Sequence, residues 1–485
     1  MSLHQNPAGT LRTRSGREYT RPCVQPIRCS TDFQLSAALE EALAVENDST
    51  CFDIDDFQGG PFVEASPFWA APTSTCAQDG ISELEEGEVE EVEGSESEEG
   101  EEGEIDETEQ RLTSTQKHKR AYRHRRQQAQ FNLKQHLPDA NQILKHVGGA
   151  NPIDIDVDLE NLPFASCAFQ GVDMPKSQSK ALLTFDALLQ KGYRVVKHLP
   201  GTTQPLVDSN TNKVFAVAVG LMDDPSYAES ASKAFAAVDE TRKQLEFSSK
   251  ESVHRRGNFT AVNYGVSYGQ GSKVPHWLKC PHEAAVQRLL QNQHIIRLAT
   301  FANQSDIFAT WAPKAYQYYD TKVRELSQAM PHLKWPFWNS VWLCVTFNFG
   351  PNVCCVPHRD FLNLPFGWCC IIALGVFDHT RGGHLVLHDL KLLIEFPPGS
   401  LILIPSALLT HANTPVGPTD RRISFTQFCS GGIFRFIENG FKSEADLKRT
   451  DEDRYAEMME AKAGRKDFGL SLWSTQQELL GGVVA

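Results

Sequence analysis

Apolar and polar positions change rhythm along this chain, and the rhythm divides it. From Val341 to Phe428 apolar residues come in short runs separated by Gly and Pro turns. The runs predict strands at Val341–Phe349, Val353–Pro357, Cys369–Val376, His384–His388, Leu392–Phe396, Leu401–Pro405, Leu408–Ala412 and Arg422–Phe428. Eight short strands at this spacing suggest a sandwich or jelly roll. Upstream the period lengthens. Residues 181–189, Pro225–Ser248, Pro281–Thr300 and Ala312–Met330 carry helical spacing, with Ser226 as a plausible cap for the second. Tyr316, Tyr319, Val323 and Leu326 form one stripe, which reads as core. Strands are expected at Tyr193–His198, Val214–Val219 and, before a tight turn, around 258–272. Tyr264 and Tyr268 in that last stretch read as packing residues, with stacking on a ligand as the alternative. The end, 442–485, is charged and helical. Before residue 150 no period is sustained.

Charge changes the picture of that first part. The chain carries a net −14, but Glu83–Glu109 holds sixteen carboxylates and no Lys or Arg, which leaves +2 elsewhere. Such a tract repels itself and cannot bury enough apolar surface to order. The sign reverses at Lys117–Arg120 and Arg123–Arg126, two basic clusters that suit nucleic-acid phosphates or an import receptor. A further basic arm holds Arg12, Arg14, Arg17, Arg21 and Arg28. The expected divisions are 1–150 disordered, 151–335 mixed support and substrate shaping, 336–445 β core, and 446–485 helical tail. No apolar run reaches membrane-spanning length and the start does not read as a secretory signal. The twelve cysteines form no C-x-x-C pair, so they are expected as reduced core thiols.

The chemistry concentrates in the β-patterned part. His358 and Asp360 stand two apart, and in extended backbone such side chains share a face. His411 follows on a later strand. Two imidazoles and a carboxylate form the facial triad that holds Fe(II) and leaves positions open. Arg422 and Ser424 repeat the i, i+2 spacing on the final strand. A guanidinium fork beside a hydroxyl suits the far carboxylate of a dicarboxylate co-substrate. Arg421 competes with Arg422, which is preferred because it shares a face with Ser424. His379, His384 and His388 lie nearby, so a zinc site is an alternative, as is a cupin-like module that holds metal without turnover.

Taken together, Pro357-His358-Arg359-Asp360-Phe361-Leu362-Asn363, Gly382-Gly383-His384, Pro398-Gly399, Ile404-Pro405, His411 and Arg422-Ile423-Ser424 resemble the fungal branch of the TET/J-binding-protein oxygenases. The resemblance covers about 340–440, extends loosely back to about 165, and lacks the cysteine-rich zinc region of the animal members. It implies a double-stranded β-helix (jelly-roll) core and does not reach the N-terminal tail. With the helices that buttress the sheet and the long disordered tail read from pattern and charge, the expected fold class is α+β. It implies Fe(II) on His358, Asp360 and His411, and 2-oxoglutarate on Arg422 and Ser424. It places Asn363 against the target base. The implied reaction oxidises the methyl group of a DNA base, 5-methylcytosine first and N6-methyladenine second, and the basic clusters add the nucleus as the expected location. Such a base must be flipped out of the duplex and stacked. Phe361, Phe366 and Trp368 are the candidate stackers, with core packing the expected role for at least two of the three. Two other readings stay open: a protein or amino-acid hydroxylase on the same fold, and an inactive nucleic-acid-binding module derived from a mobile element.

Overall fold

The computed structural model describes residues 10–12, 18–20, 138, 140–175, 181–220, 224–269, 271–303 and 307–484. The acidic block and both basic clusters lie outside the described residues. Within the basic arm, β1 (Thr10–Arg12) and β2 (Glu18–Thr20) pair antiparallel.

The remaining strands are β3 (Ile153–Ile155), β4 (Arg194–Val196), β5 (Thr203–Asp208), β6 (Val214–Val219), β7 (Thr260–Ser267), β8 (His276–Trp277), β9 (Cys344–Gly350), β10 (Cys369–Val376), β11 (Leu385–Leu387), β12 (Leu392–Ile394), β13 (Leu401–Ile404), β14 (His411–Asn413) and β15 (Arg421–Phe428). Nine build one sheet in the order β3-β5-β6-β13-β10-β15-β9-β7-β8. Four build another, β14-β11-β12-β4. Five strands of the large sheet precede residue 336. Strands from both sides of the expected division at 335 thus pair in one sheet. β5 and β6 are buried along their whole length, covered on both faces. That cover hides the alternation by which a strand at Thr203–Asp208 would show itself in a sequence.

Helices pack on the large sheet. The Pro225–Gln244 helix is capped by Asp224, whose carboxylate accepts from Ser226 N at 2.9 Å and Ser226 Oγ at 2.7 Å. Ser226 is thus inside the first turn and not the cap. The helix expected over 281–300 is two, Glu283–Gln291 and Gln293–Asn303. Asn292 divides them, its side-chain oxygen accepting from His294 N (3.0 Å) and Ile295 N (3.2 Å), as an N-cap does. Tyr316, Tyr319, Val323 and Leu326 are buried, as their stripe predicts. Tyr264 packs on Trp277 and Tyr268 on Phe436. The region after Val341 is not wholly β, since Gly431–Glu438 is a helix directly after β15. Among the described residues no helix is long and apolar enough to cross a membrane. The described cysteines are all free thiols.

Residues 353–357 form no named strand. Their backbone bonds are divided between the two sheets. Arg422 N donates to Pro351 O (2.8 Å) and Val353 N to Arg422 O (2.8 Å), on the large sheet. Asn413 N then donates to Cys355 O (3.0 Å), on the small one. Pro351 and Pro357 supply no N–H. This divided segment carries the chain from one sheet to the other and leads into His358.

Candidate metal centre

His358 and His411 face each other across an isolated antiparallel bridge. His358 N donates to His411 O (3.1 Å) and His411 N to His358 O (2.9 Å), and the ring centroids stand 4.2 Å apart. Each ring is tethered the same way. Nδ1 of His358 bonds Val356 O at 2.8 Å, and Nδ1 of His411 bonds Leu409 O at 2.9 Å. A carbonyl only accepts, so both Nδ1 atoms carry the proton and both Nε2 atoms present lone pairs. Asp360 completes the group. Its Oδ1 is 3.8 Å from His358 Nε2 and its Oδ2 is 3.7 Å from His411 Nε2. Its own N–H donates to Ser406 O at 2.9 Å, which fixes the backbone. Two ligands at about 2.1 Å from one ion stand at most about 4.2 Å apart, so both separations suit a shared cation.

This is the one His/Cys/Asp/Glu group of three or more with metal-ligand spacing among the described residues. The zinc alternative finds no support there. His384 is bound through Nδ1 to Thr414 Oγ1 (2.9 Å) and stacks on Phe185, while Nδ1 of His388 bonds the Tyr193 hydroxyl (2.8 Å).

The electrostatics favour a cation. Burial holds His358 well below the ordinary imidazole range, with His411 adding to the shift. Burial also lowers His411, against the pull of Asp360. Burial alone would raise Asp360, but His358, His411, Arg255 and Arg256 outweigh it and lower its carboxyl to about 2. Two neutral imidazoles and one carboxylate are the forms that bind metal. Arg359 points away from the centre. Its Nε donates to Thr410 Oγ1 (2.9 Å) and its Nη2 lies 3.7 Å from Asp389, which in turn accepts from Thr410 N (2.6 Å). That network ties the back of the His358 segment to the His411 segment.

The second end of the site lies on β15. Ser424 pairs with Ala373 of β10 and Asn348 of β9, and its Oγ accepts from Asn348 Nδ2 at 3.0 Å. Arg422 is 1% exposed. Its Nη1 donates to Val353 O (3.1 Å), its guanidinium lies 5.9 Å from the Phe377 ring, and its Nε is buried without a partner, as is Asn348 Oδ1. Gly375 stands opposite Arg422 in the ladder at φ 143°, and a Cβ there would meet Arg421 O at 2.1 Å. Only glycine permits that close approach. Arg421, the competing residue, faces the other way: it pairs with Asp239 at 3.1 Å, half-exposed, over the Phe235 ring. A buried guanidinium with an orphaned N–H beside a hydroxyl is the donor set a carboxylate takes. The residues at both ends therefore fit iron and a dicarboxylate. Burial raises the Cys355 thiol, against the pull of Arg256 and Arg422, and Asp360 adds to the rise.

The expected substrate residues divide. Asn363 lies beside the centre, half-buried, with its N–H on Asp360 O (2.8 Å) and its Nδ2 on Ser406 Oγ (3.0 Å). Phe361 is half-buried under Arg255. Trp368 does not belong to the site. It is 1% exposed, stacks near Phe308 in the core, and its carbonyl accepts from Trp342 Nε1 at 2.7 Å. Phe366 is likewise core, beside Tyr318. An aromatic side chain in a strand-rich region reads alike in sequence whether it faces a cleft or a core. Arg255, Asn348 and Ser406 complete the surroundings. No local pattern marks them, because each meets the site only through pairing distant in sequence.

No family model matches the chain, and no curated protein matches it. Among solved structures it is similar to NgTET1 in complex with 5mC DNA, with TM-score 0.30, 13% identity, 56% of this chain and 90% of that one. It is also similar to an oxidoreductase of the 2OG-Fe(II) oxygenase family from Burkholderia pseudomallei, with TM-score 0.24, 16% identity, 43% of this chain and 92% of that one. At TM-scores this low the likenesses decide nothing about this chain.

Proposed function

We propose that this chain is a 2-oxoglutarate- and Fe(II)-dependent dioxygenase with a double-stranded β-helix core, and that it oxidises the methyl group of a methylated DNA base in the nucleus. The observation that carries the reading is the tethered His358–Asp360–His411 group, with both Nε2 lone pairs and the carboxylate converging. The buried Arg422 with its orphaned Nε supports the co-substrate. When bound, iron with 2-oxoglutarate and oxygen supplies oxidation of a methyl C–H, with succinate and carbon dioxide as the other products.

The chain's own residues bind, orient and exclude. His358, Asp360 and His411 would hold the metal, and the Val356 and Leu409 carbonyls keep the imidazoles in the ligating tautomer. Arg422 and Ser424 hold the distal carboxylate, with Phe377 keeping water from the guanidinium. Asn363, fixed by Ser406, offers its amide to the edge of a flipped base, and Phe361 offers a ring to its face. The basic clusters at 117–126 supply phosphate contacts or an import signal. 5-Methylcytosine is the proposed base; N6-methyladenine, losing its methyl as formaldehyde, follows from the same chemistry.

Nucleoside mass spectrometry tests this. The purified chain is incubated with Fe(II), 2-oxoglutarate, ascorbate and duplex DNA carrying either base. Hydroxymethyl-, formyl- or carboxylcytosine, absent with Asp360→Ala, is the expected result. Succinate formation without any change in either duplex would remove DNA as the substrate.

A further inference from the structure

The 253–258 loop, between the Ser249–Ser252 helix and β7, supplies no residue to the proposed metal, co-substrate or base contacts, yet it is firmly docked. His254 N donates to Gly257 O (3.1 Å) and Gly257 N to His254 O (3.0 Å), closing the turn. Val356 N donates to Arg256 O at 2.9 Å, so the loop is bonded to the segment that tethers His358. Gly257 has φ 145°, and a Cβ there would meet Cys354 O at 2.9 Å. The His254 ring packs edge-on against Phe259, with centroids 4.7 Å apart.

The loop presents Arg255 to three consecutive residues by three different contacts. Nη1 donates to Arg359 O at 2.9 Å. Nη2 lies 3.4 Å from Asp360 Oδ1. The guanidinium carbon sits 5.6 Å from the centroid of the Phe361 ring. A guanidinium can make all three contacts because it is planar, forked and able to stack; an ammonium cannot.

We propose that Arg255 is the positioning residue of the metal-binding carboxylate. It holds the Arg359 carbonyl, the Asp360 carboxylate and the Phe361 ring so that Asp360 faces both Nε2 atoms before the cation arrives. The contact to Oδ1 orients the carboxylate and balances its charge while the site is apo, and the carbonyl contact fixes the backbone that carries it. This rests on the metal reading above, and its test separates the two.

The test is Mn(II) binding to the full-length apo chain by calorimetry, with the Co(II) absorption spectrum as a geometric readout. Outer partners of metal ligands typically contribute ~10–100-fold in affinity. Arg255→Ala is expected to weaken Mn(II) by a factor in that range and to alter the Co(II) bands, while the apo melting temperature stays near wild type. Arg255→Lys is expected to recover only part. Wild-type Mn(II) affinity in Arg255→Ala, with Asp360→Ala unable to bind, would overturn the positioning role and leave the metal centre standing. Full recovery by lysine would overturn the three-contact hold, since charge alone would then suffice. Failure of the wild-type chain to bind Mn(II) would overturn both readings. Should Arg255→Ala not fold, Arg255→Lys and Arg255→Gln carry the same comparison.

Discussion

The two ends of the candidate site are built differently. The anchor, Arg422 and Ser424, stands on an eight-residue strand in the middle of the nine-stranded sheet, paired on both sides. The metal end stands on a three-residue strand at the edge of the four-stranded sheet, and on a segment that belongs to no strand. The anchor is rigid by ladder and packing. The metal end obtains its geometry from individual bonds: two ring tethers to carbonyls, one bridge between histidines, and one N–H on Ser406. A regular ladder would set the spacing of its ligands by the strand repeat. A short bridged segment allows three side chains to converge on a point, at the cost of depending on each bond.

Substitutions at the two ends are expected to differ in size. The largest belongs to the metal end, where Asp360→Ala is expected to abolish product formation and Mn(II) binding while circular dichroism and melting remain near wild type. Loss of fold instead would mean that Asp360 is structural. Next comes the anchor. A charge-assisted contact contributes about 1.5–3 kcal/mol, or roughly 10–150-fold in affinity. Arg422→Ala is therefore expected to raise the 2-oxoglutarate requirement by at least that range. Arg421→Ala, which removes only a half-exposed pair with Asp239, is expected to leave it unchanged. Equal effects from the two arginines in a titration of co-substrate against succinate would contradict the face assignment. Ser424→Ala is expected to be milder, a few-fold to about tenfold, since a neutral hydrogen bond contributes about 0.5–1.5 kcal/mol.

The smallest effect is one of pH. His384, fully buried, is lowered from 6.5 to about 4, chiefly by burial and then by the charges of His379 and Arg422. Its folded pKa lies below its unfolded value, so the unfolded chain takes up the proton first. The stability it contributes as a neutral ring is complete above about pH 6.5 and is lost as pH falls towards 4. The slope is at most about 1.4 kcal/mol per pH unit for this one group. Melting temperatures between pH 7 and 5 should fall, and His384→Asn should flatten part of the fall. Only part is expected, because burial also lowers His198, His254 and His388 to about 4. An unchanged slope in the variant would place the titration elsewhere.

Much of this is legible in the order of residues. β10 and β6 lie where the apolar runs place them, because strands of uninterrupted apolar residues between turns have few other uses. The face-sharing of His358 with Asp360, and of Arg422 with Ser424, follows from the period of extended chain. The helix after β15 and the strand at Thr203–Asp208 escape the pattern, the first for its position directly after a strand and the second for being buried on both faces. The sequence setting of Trp368 suits base stacking and core packing alike and does not choose between them, because burial is a property of the whole fold and not of a residue's neighbours along the chain.

Residue order alone sets the side-chain types of the candidate site, their i, i+2 pairing and the strands that carry Arg422 and Ser424, since these depend on local geometry and side-chain chemistry. Tertiary structure alone decided that His411 meets His358 across a bridge, that Arg422 turns inward while Arg421 turns out to Asp239, and that Arg255 reaches Asp360 from 105 residues away in sequence. Those outcomes depend on which strand edges pair, and pairing between distant segments is set by the burial of the whole core.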